Sequence, residues 1–104
     1  GKQFRDFLYI DDAIEAIIKS LKNKKSTGEI LNIGQGKPMM VKNLIEYIKK
    51  KIKKGKPVYG KIKLRKDEAA ITFPNIKKAK KIINWKPKTS FQNGLKKTIN
   101  FYNE

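Results

Sequence analysis

Of the 26 basic residues in this 104-residue sequence, two are arginines, Arg5 and Arg65, and the rest are lysines spread from Lys2 to Lys97. The contrast has chemical content. Lysine is a point charge on a flexible stem, whereas arginine presents a planar, permanently charged fork that grips carboxylates and phosphates bidentately. An arginine kept in so lysine-biased a chain marks a task that lysine performs badly. Arg5 and Arg65 are therefore candidate anion ligands, the alternative being a structural ion pair such as Arg5 with Asp6 or Asp11. Asp11 and Asp12 have the form of a paired-carboxylate site, but a helix N-terminus explains them more simply. Trp85 could stack on a base; its place just before Pro87, at the end of a helix, favours the core. Asn32 is read as holding backbone. The chain has no cysteine and no histidine. That removes disulfides, thiolate catalysis, imidazole bases and nearly every zinc site, and it is compatible with a reduced, cytoplasmic setting.

The formal net charge of +17 invites a nucleic-acid reading. Composition argues against it. Lysine, isoleucine and asparagine make up 47 of the 104 residues, and all three have A/T-rich codons, so a biased genome would produce this balance in any protein. Nucleic-acid surfaces also favour arginine, whose fork matches phosphates and guanine edges. The length fits one domain that buries roughly two-thirds of its unfolded surface. With 38% apolar residues the chain is not compositionally disordered. No apolar run approaches the ~20 residues of a membrane helix, and the opening Gly1-Lys2-Gln3-Phe4 is not a signal peptide.

The elements that must position these side chains alternate between short strands and amphipathic helices. Phe4 to Ile10 is β-rich and is stopped by Asp11-Asp12, where Asp12 and Glu15 resemble a capping box. Ile14, Ile17, Ile18 and Leu21 then share one helical face, with Gly28 marking the exit. A second strand is expected over Glu29 to Ile33, ending in the turn Gly34-Gln35-Gly36-Lys37-Pro38. Val41, Leu44, Ile45, Ile48 and Ile52 predict a second helix, ended by Gly55 and Pro57, whose start at Met40 lacks a capping side chain. A third strand is expected near Lys61 to Leu64. Asn75 caps a helix carrying Ile76, Ala79, Ile82 and Ile83, and Ser90 caps a last one with Phe91, Leu95, Ile99 and Tyr102 as its buried face. The fold class is α/β, or α+β as an isolated piece, with about four helices and three short strands.

Four stretches in this order resemble one family. Arg5-Asp6-Phe7-Leu8-Tyr9-Ile10-Asp11-Asp12 is similar to R-D-[FY]-[LIV]-[HY]-V-x-D. Leu31 to Gly36 is similar to [FY]-N-[LI]-G-x-G, and Arg65 with Glu68 to R-x-x-[DE]. Lys78-Ala79 through Asn84-Trp85-Lys86-Pro87, with the final helix, is similar to K-A-x-x-x-L-G-W-x-P and S-[FL]-x-x-G-[LI]-x-x-[TI]. Together, over essentially the whole chain, they resemble the C-terminal part of the extended short-chain dehydrogenase/reductases, the NAD-dependent nucleotide-sugar epimerases and dehydratases. The chain departs from the pattern at Asn75, where the family usually has Asp, and at Ala69-Ala70, where a proline is common.

The resemblance implies that residues 1–104 form the nucleotide-sugar-binding C-terminal domain of a larger cytoplasmic enzyme serving polysaccharide biosynthesis. In such enzymes the two matching arginines clamp the substrate diphosphate, and the acid matching Glu68 accepts hydrogen bonds from ribose hydroxyls, a role Asp67 could share. The implied partners are a nucleotide-diphosphate sugar and an N-terminal Rossmann domain, with a homodimer left open and neither membrane nor nucleic acid expected. NAD binding through G-x-x-G-x-x-G and catalysis through Tyr-x-x-x-Lys would lie upstream of Phe4. Within this chain the resemblance implies no catalytic, cofactor-binding or metal-binding residue. Gly34-Gln35-Gly36 lacks the third glycine of the fingerprint, since Met39 stands there. Tyr47 with Lys51 and Tyr59 with Lys63 match the Tyr/Lys spacing, as expected by chance in a lysine-rich chain. The isolated chain is expected to turn nothing over. The competing reading is a small lysine-rich nucleic-acid-binding module.

Overall fold

Trp85, fully buried, is the centre around which two helices close. The computed structural model describes residues 1–63, 65–67 and 69–103. In it, α1 spans Ile10–Lys22 and leads into a single 3₁₀ turn at Lys24–Ser26; α2 spans Val41–Ile52, α3 Lys77–Ile83 and α4 Phe91–Tyr102. Ala16 of α1 and Ala79 and Ile83 of α3 are buried with Trp85. Leu8, Leu31, Ile33, Ile76 and Ile82 pack against that cluster. Small residues at the contact let the two helices approach, and side chains tie them together: the Asn23 amide donates to the Ile82 carbonyl at 3.0 Å and Lys19 to that of Asn84 at 2.9 Å. Trp85 is thus core, as its position suggested.

Asp12 corrects the sequence reading of α1. The helix begins at Ile10 with Tyr9 as its N-cap, and no side chain caps it. Asp12 lies inside the first turn and is 4% exposed. Its Oδ2 accepts the backbone N–H groups of Lys88 at 3.1 Å and Thr89 at 2.9 Å, while its own carbonyl accepts the Trp85 Nε1–H at 2.9 Å. The carboxylate serves a segment 76 residues away, instead of the local capping box expected with Glu15. Helix spacing reports local geometry only, so a partner that distant leaves no trace in it.

The strands are shorter than expected. β1 (Phe4–Arg5) pairs antiparallel with β2 (Met39–Met40), Phe4 opposite Met40 and Arg5 opposite Met39. On its other edge, Phe4 forms a parallel bridge to Ile71: its N–H donates to Ala70 at 2.7 Å and its carbonyl accepts from Thr72 at 3.2 Å. The segments expected as strands at 29–33 and 61–64 form no ladder among the described residues, and Leu64 lies outside them. A β-rich run becomes a strand only where a neighbour supplies the hydrogen bonds.

The other helices largely follow their signals. α2 starts at Met40 without a side-chain cap and ends two residues before Gly55, at Lys53 in the left-handed conformation (φ 61°). Asn75 accepts the Lys77 N–H at 3.0 Å, one residue before the N-cap position of α3 at Ile76. Ser90 Oγ caps α4 by accepting the Asn93 N–H at 3.2 Å. In α4, Phe91, Leu95 and Ile99 are half-buried, but Tyr102, expected inside, is 79% exposed.

The α1 face expected to be buried is also open. Ile14, Ile17, Ile18 and Leu21 are exposed, Leu21 by 82%, and Asp12 and Ala16 face the core in their place. Overall shape gives the reason. The body measures 48 × 39 × 15 Å with a radius of gyration of 16.1 Å, against roughly 13 Å for a compact domain of this length. Its thinnest dimension is little more than one helix diameter, about 10–12 Å. In so thin a body, much of the apolar face of α1 stays open among the described residues. No helix among the described residues is long and apolar enough to cross a membrane.

Candidate functional site

Arg5 sits on the short strand at the middle of the backbone network. Its neighbour Phe4 is bonded on one edge to residues 70 and 72, and Gln3 accepts the Val41 N–H on the other at 2.9 Å. The half-buried Arg5 guanidinium donates to the Phe4 carbonyl at 2.7 Å. Arg65 lies five residues before the bridged segment, exposed, with Nε 3.9 Å from Asp67. The Phe4 hydrogen bonds thus join the strand of Arg5 to residues 70–72, a stretch that begins five residues after Arg65. Glu68, the candidate hydroxyl acceptor, lies outside the described residues. Asp67, its alternative, pairs with Arg65.

The glycine turn 34–36 is held by a residue that sequence reasoning did not single out. Asp6 Oδ1 accepts the Gln35 N–H and Oδ2 the Gly36 N–H, both at 2.7 Å. Gly34 has no room for a side chain: a Cβ would come within 2.4 Å of Pro74 Cγ and 2.9 Å of Asp6 Oδ1. Gly36 has φ +79°, a left-handed value that favours glycine. The signal that could have found Asp6 was an acid beside the candidate arginine together with a glycine turn offering free N–H groups. Anion cradles of this kind bind with their backbone N–H groups, and here two of those groups are taken by a carboxylate.

The tyrosines of the two pairs with Tyr/Lys spacing each have other partners. The Tyr59 hydroxyl donates to Glu46, and that carboxylate pushes its pKa up to about 12. A tyrosine serving as a base needs the opposite shift. The Tyr47 ring packs edge-on against Phe91, with Lys51 Nζ 5.5 Å from its centroid. Glu15 bridges Lys88 at 3.0 Å and Lys19 at 3.2 Å. Those bonds, Lys88 first, hold its carboxyl below the ordinary value. Asp11 lies exposed in the first turn of α1, and Asn32 is exposed ahead of the glycine turn.

The fold and the sequence are similar to those of proteins named as nucleotide-sugar epimerases. A structure of UDP-glucose 4-epimerase from Thermotoga maritima with UDP-glucose superposes with a TM-score of 0.84 at 30% identity, over 99% of this chain and 32% of that one. A variant of UDP-glucuronic acid 4-epimerase from Bacillus cereus, in complex with a fluorinated UDP-glucuronic acid and NAD, gives 0.76 at 32% identity, over 91% of this chain and 30% of that one. In sequence the chain is 42% identical over 106 residues to UDP-glucuronate 4-epimerase of Thermodesulfobacterium geofontis, covering 100% of this chain and 32% of that protein. The family model described as GDP-mannose 4,6 dehydratase matches residues 1–98. The chain belongs to this family of NAD-dependent nucleotide-sugar epimerases and dehydratases, and it spans about a third of the length of the curated relatives it matches.

Proposed function

We propose that this chain is the substrate-binding C-terminal portion of a cytoplasmic NAD-dependent nucleotide-sugar epimerase or 4,6-dehydratase, and that it holds the nucleotide diphosphate. Arg5 and Arg65 grip the diphosphate oxygens, and Glu68 or Asp67 accepts the ribose hydroxyls. One observation supports this reading: Phe4, next to Arg5, bonds Ala70 and Thr72, in the stretch that follows Arg65. A diphosphate carries about two negative charges at neutral pH and suits two permanently charged forks. The portion makes and breaks no bonds. Its contribution to an NAD-dependent hydride transfer is binding energy and orientation, with the cofactor and the catalytic tyrosine supplied by a Rossmann domain. Family membership takes the place of the nucleic-acid alternative, which rested on charge alone.

The test is a titration of the full-length enzyme with UDP-glucuronic acid and, as a second probe, dTDP-glucose. A charge-assisted contact contributes roughly 1.5–3 kcal/mol, so Arg65→Ala weakens the sugar nucleotide by about ten- to a hundredfold and leaves NAD affinity intact. Equal losses for both ligands would mean that Arg65 supports the fold and does not touch the substrate.

A further inference from the structure

The turn at 34–36 lies between Asp6 and the 74–76 stretch, and one carboxylate binds it. Asp6 directly follows Arg5, and each of its oxygens takes one backbone N–H of the turn at 2.7 Å. On the other side, Gly34 is packed so closely on Pro74 that a Cβ would reach its ring at 2.4 Å, and a Cβ on Gly36 would meet Ile76 Cδ1 at 3.1 Å. Pro74 and Ile76 continue the segment that leaves Arg65 and pairs with Phe4 at Thr72. The turn therefore touches the chain one residue past Arg5 and the chain just past the bridge. A ladder of two residue pairs is by itself too short to hold a strand in place. Hydrogen bonds to an ionised carboxylate are roughly twice as strong as neutral ones, so Asp6 supplies the firmest local anchor for β1.

We infer that Asp6 is a positioning residue: by binding the N–H groups of Gln35 and Gly36 it anchors β1, and with it Arg5, to the Gly34–Gly36 turn, setting Arg5 to grip the diphosphate. This rests on the reading that the two arginines bind that diphosphate. The same carboxylate explains the glycine at 34, since a methyl group there would displace either Asp6 or Pro74.

A double-mutant cycle in the full-length enzyme tests it, using calorimetry with UDP and uridine, and dTDP and thymidine, as probe pairs. Asp6→Asn keeps one acceptor and turns an amide N–H toward the other donor. The expected result is a loss of about five- to tenfold for the nucleoside diphosphate, none for the nucleoside, and no further loss once Arg5→Ala is present. A structural role alone would lower both ligands together, or would cost the diphosphate equally with and without Arg5; either result overturns the inference. Arg5→Ala and Arg65→Ala leaving the diphosphate-to-nucleoside ratio unchanged would instead remove the underlying reading, and this inference with it. Should Asp6→Asn fail to fold, Asp6→Glu keeps the charge and both acceptors on a longer arm that displaces the turn. A smaller loss, again confined to the diphosphate, is expected, and a folded Asp6→Glu enzyme with the wild-type ratio overturns the inference.

Discussion

The molecule uses the same device twice, in surroundings that differ. Asp12 and Asp6 each accept two consecutive backbone N–H groups, Lys88 and Thr89 in one case, Gln35 and Gly36 in the other. Asp12 is 4% exposed and lies against Trp85 and the α1–α3 contact. Asp6 is half-buried, one residue past a two-residue strand and against the Gly34–Gly36 turn. Around Asp12 the carboxylate joins elements that also share an apolar core. Around Asp6 the carboxylate binds a turn that meets the core only through partly buried side chains such as Ile33 and Ile76. The lesson is a division of labour: one half holds the fold together, and the other presents charged groups from a sparsely packed edge, as binding sites commonly do.

The largest effect that could break this comparison is at Trp85. Trp85→Ala empties the centre of the buried cluster and removes the indole N–H bond to the Asp12 carbonyl, with an expected loss of about 3–5 kcal/mol in urea denaturation. A loss below about 1 kcal/mol would show that the α1–α3 half is not the stabilising one. Asp12→Ala comes next. It leaves two N–H groups of the 88–89 segment without their acceptor, and about 2–3 kcal/mol is expected by the same measurement. Asp12→Ala should leave the relative affinity for nucleoside diphosphate and nucleoside unchanged, which separates it from substitutions at Asp6.

Much of this was legible from local chemistry. α2, the Ser90 cap of α4, the glycine turn and the buried Trp85 all follow from spacing, a capping hydroxyl, glycine and a proline break. What was not legible depends on distant partners. Asp12 reads as a cap because its true acceptor role joins positions 76 apart. The Glu29–Ile33 run has strand composition but finds no neighbouring strand among the described residues. The isoleucine stripe of α1 is apolar by spacing, yet spacing does not say what covers it, and among the described residues it stays largely exposed in a body 15 Å thick. At the candidate site the arginines stood out by rarity, whereas Asp6 is one acid among nine. Its role appears only when the turn folds back onto it.

Smaller effects sharpen the same contrast. Ser90→Ala removes the acceptor of the Asn93 N–H at the start of α4, and about 1 kcal/mol of stability is expected to go with it. Acidification gives the smallest effect. Lys88 and Lys19 hold the Glu15 pKa below its unfolded value of about 4.5, so the contribution of this pair is present above that pH. It is lost as pH falls through the lower, folded value. Stability measured between pH 5 and pH 2 (roughly the titration range of carboxylates) should fall less steeply in Glu15→Gln than in wild type. Parallel curves would show that the Glu15 bridges contribute nothing.

The central claim, that the two arginines hold a diphosphate, is tested most directly by one ratio: the affinity for UDP divided by that for uridine, measured by calorimetry on the full-length enzyme. Wild type, Arg65→Lys and Arg65→Ala should give ratios falling in that order, because lysine keeps the charge and loses the fork. The step to alanine should be about ten- to a hundredfold. A ratio that stays the same in all three proteins, with the alanine variant merely less stable, would contradict the account and make Arg65 a structural partner of Asp67.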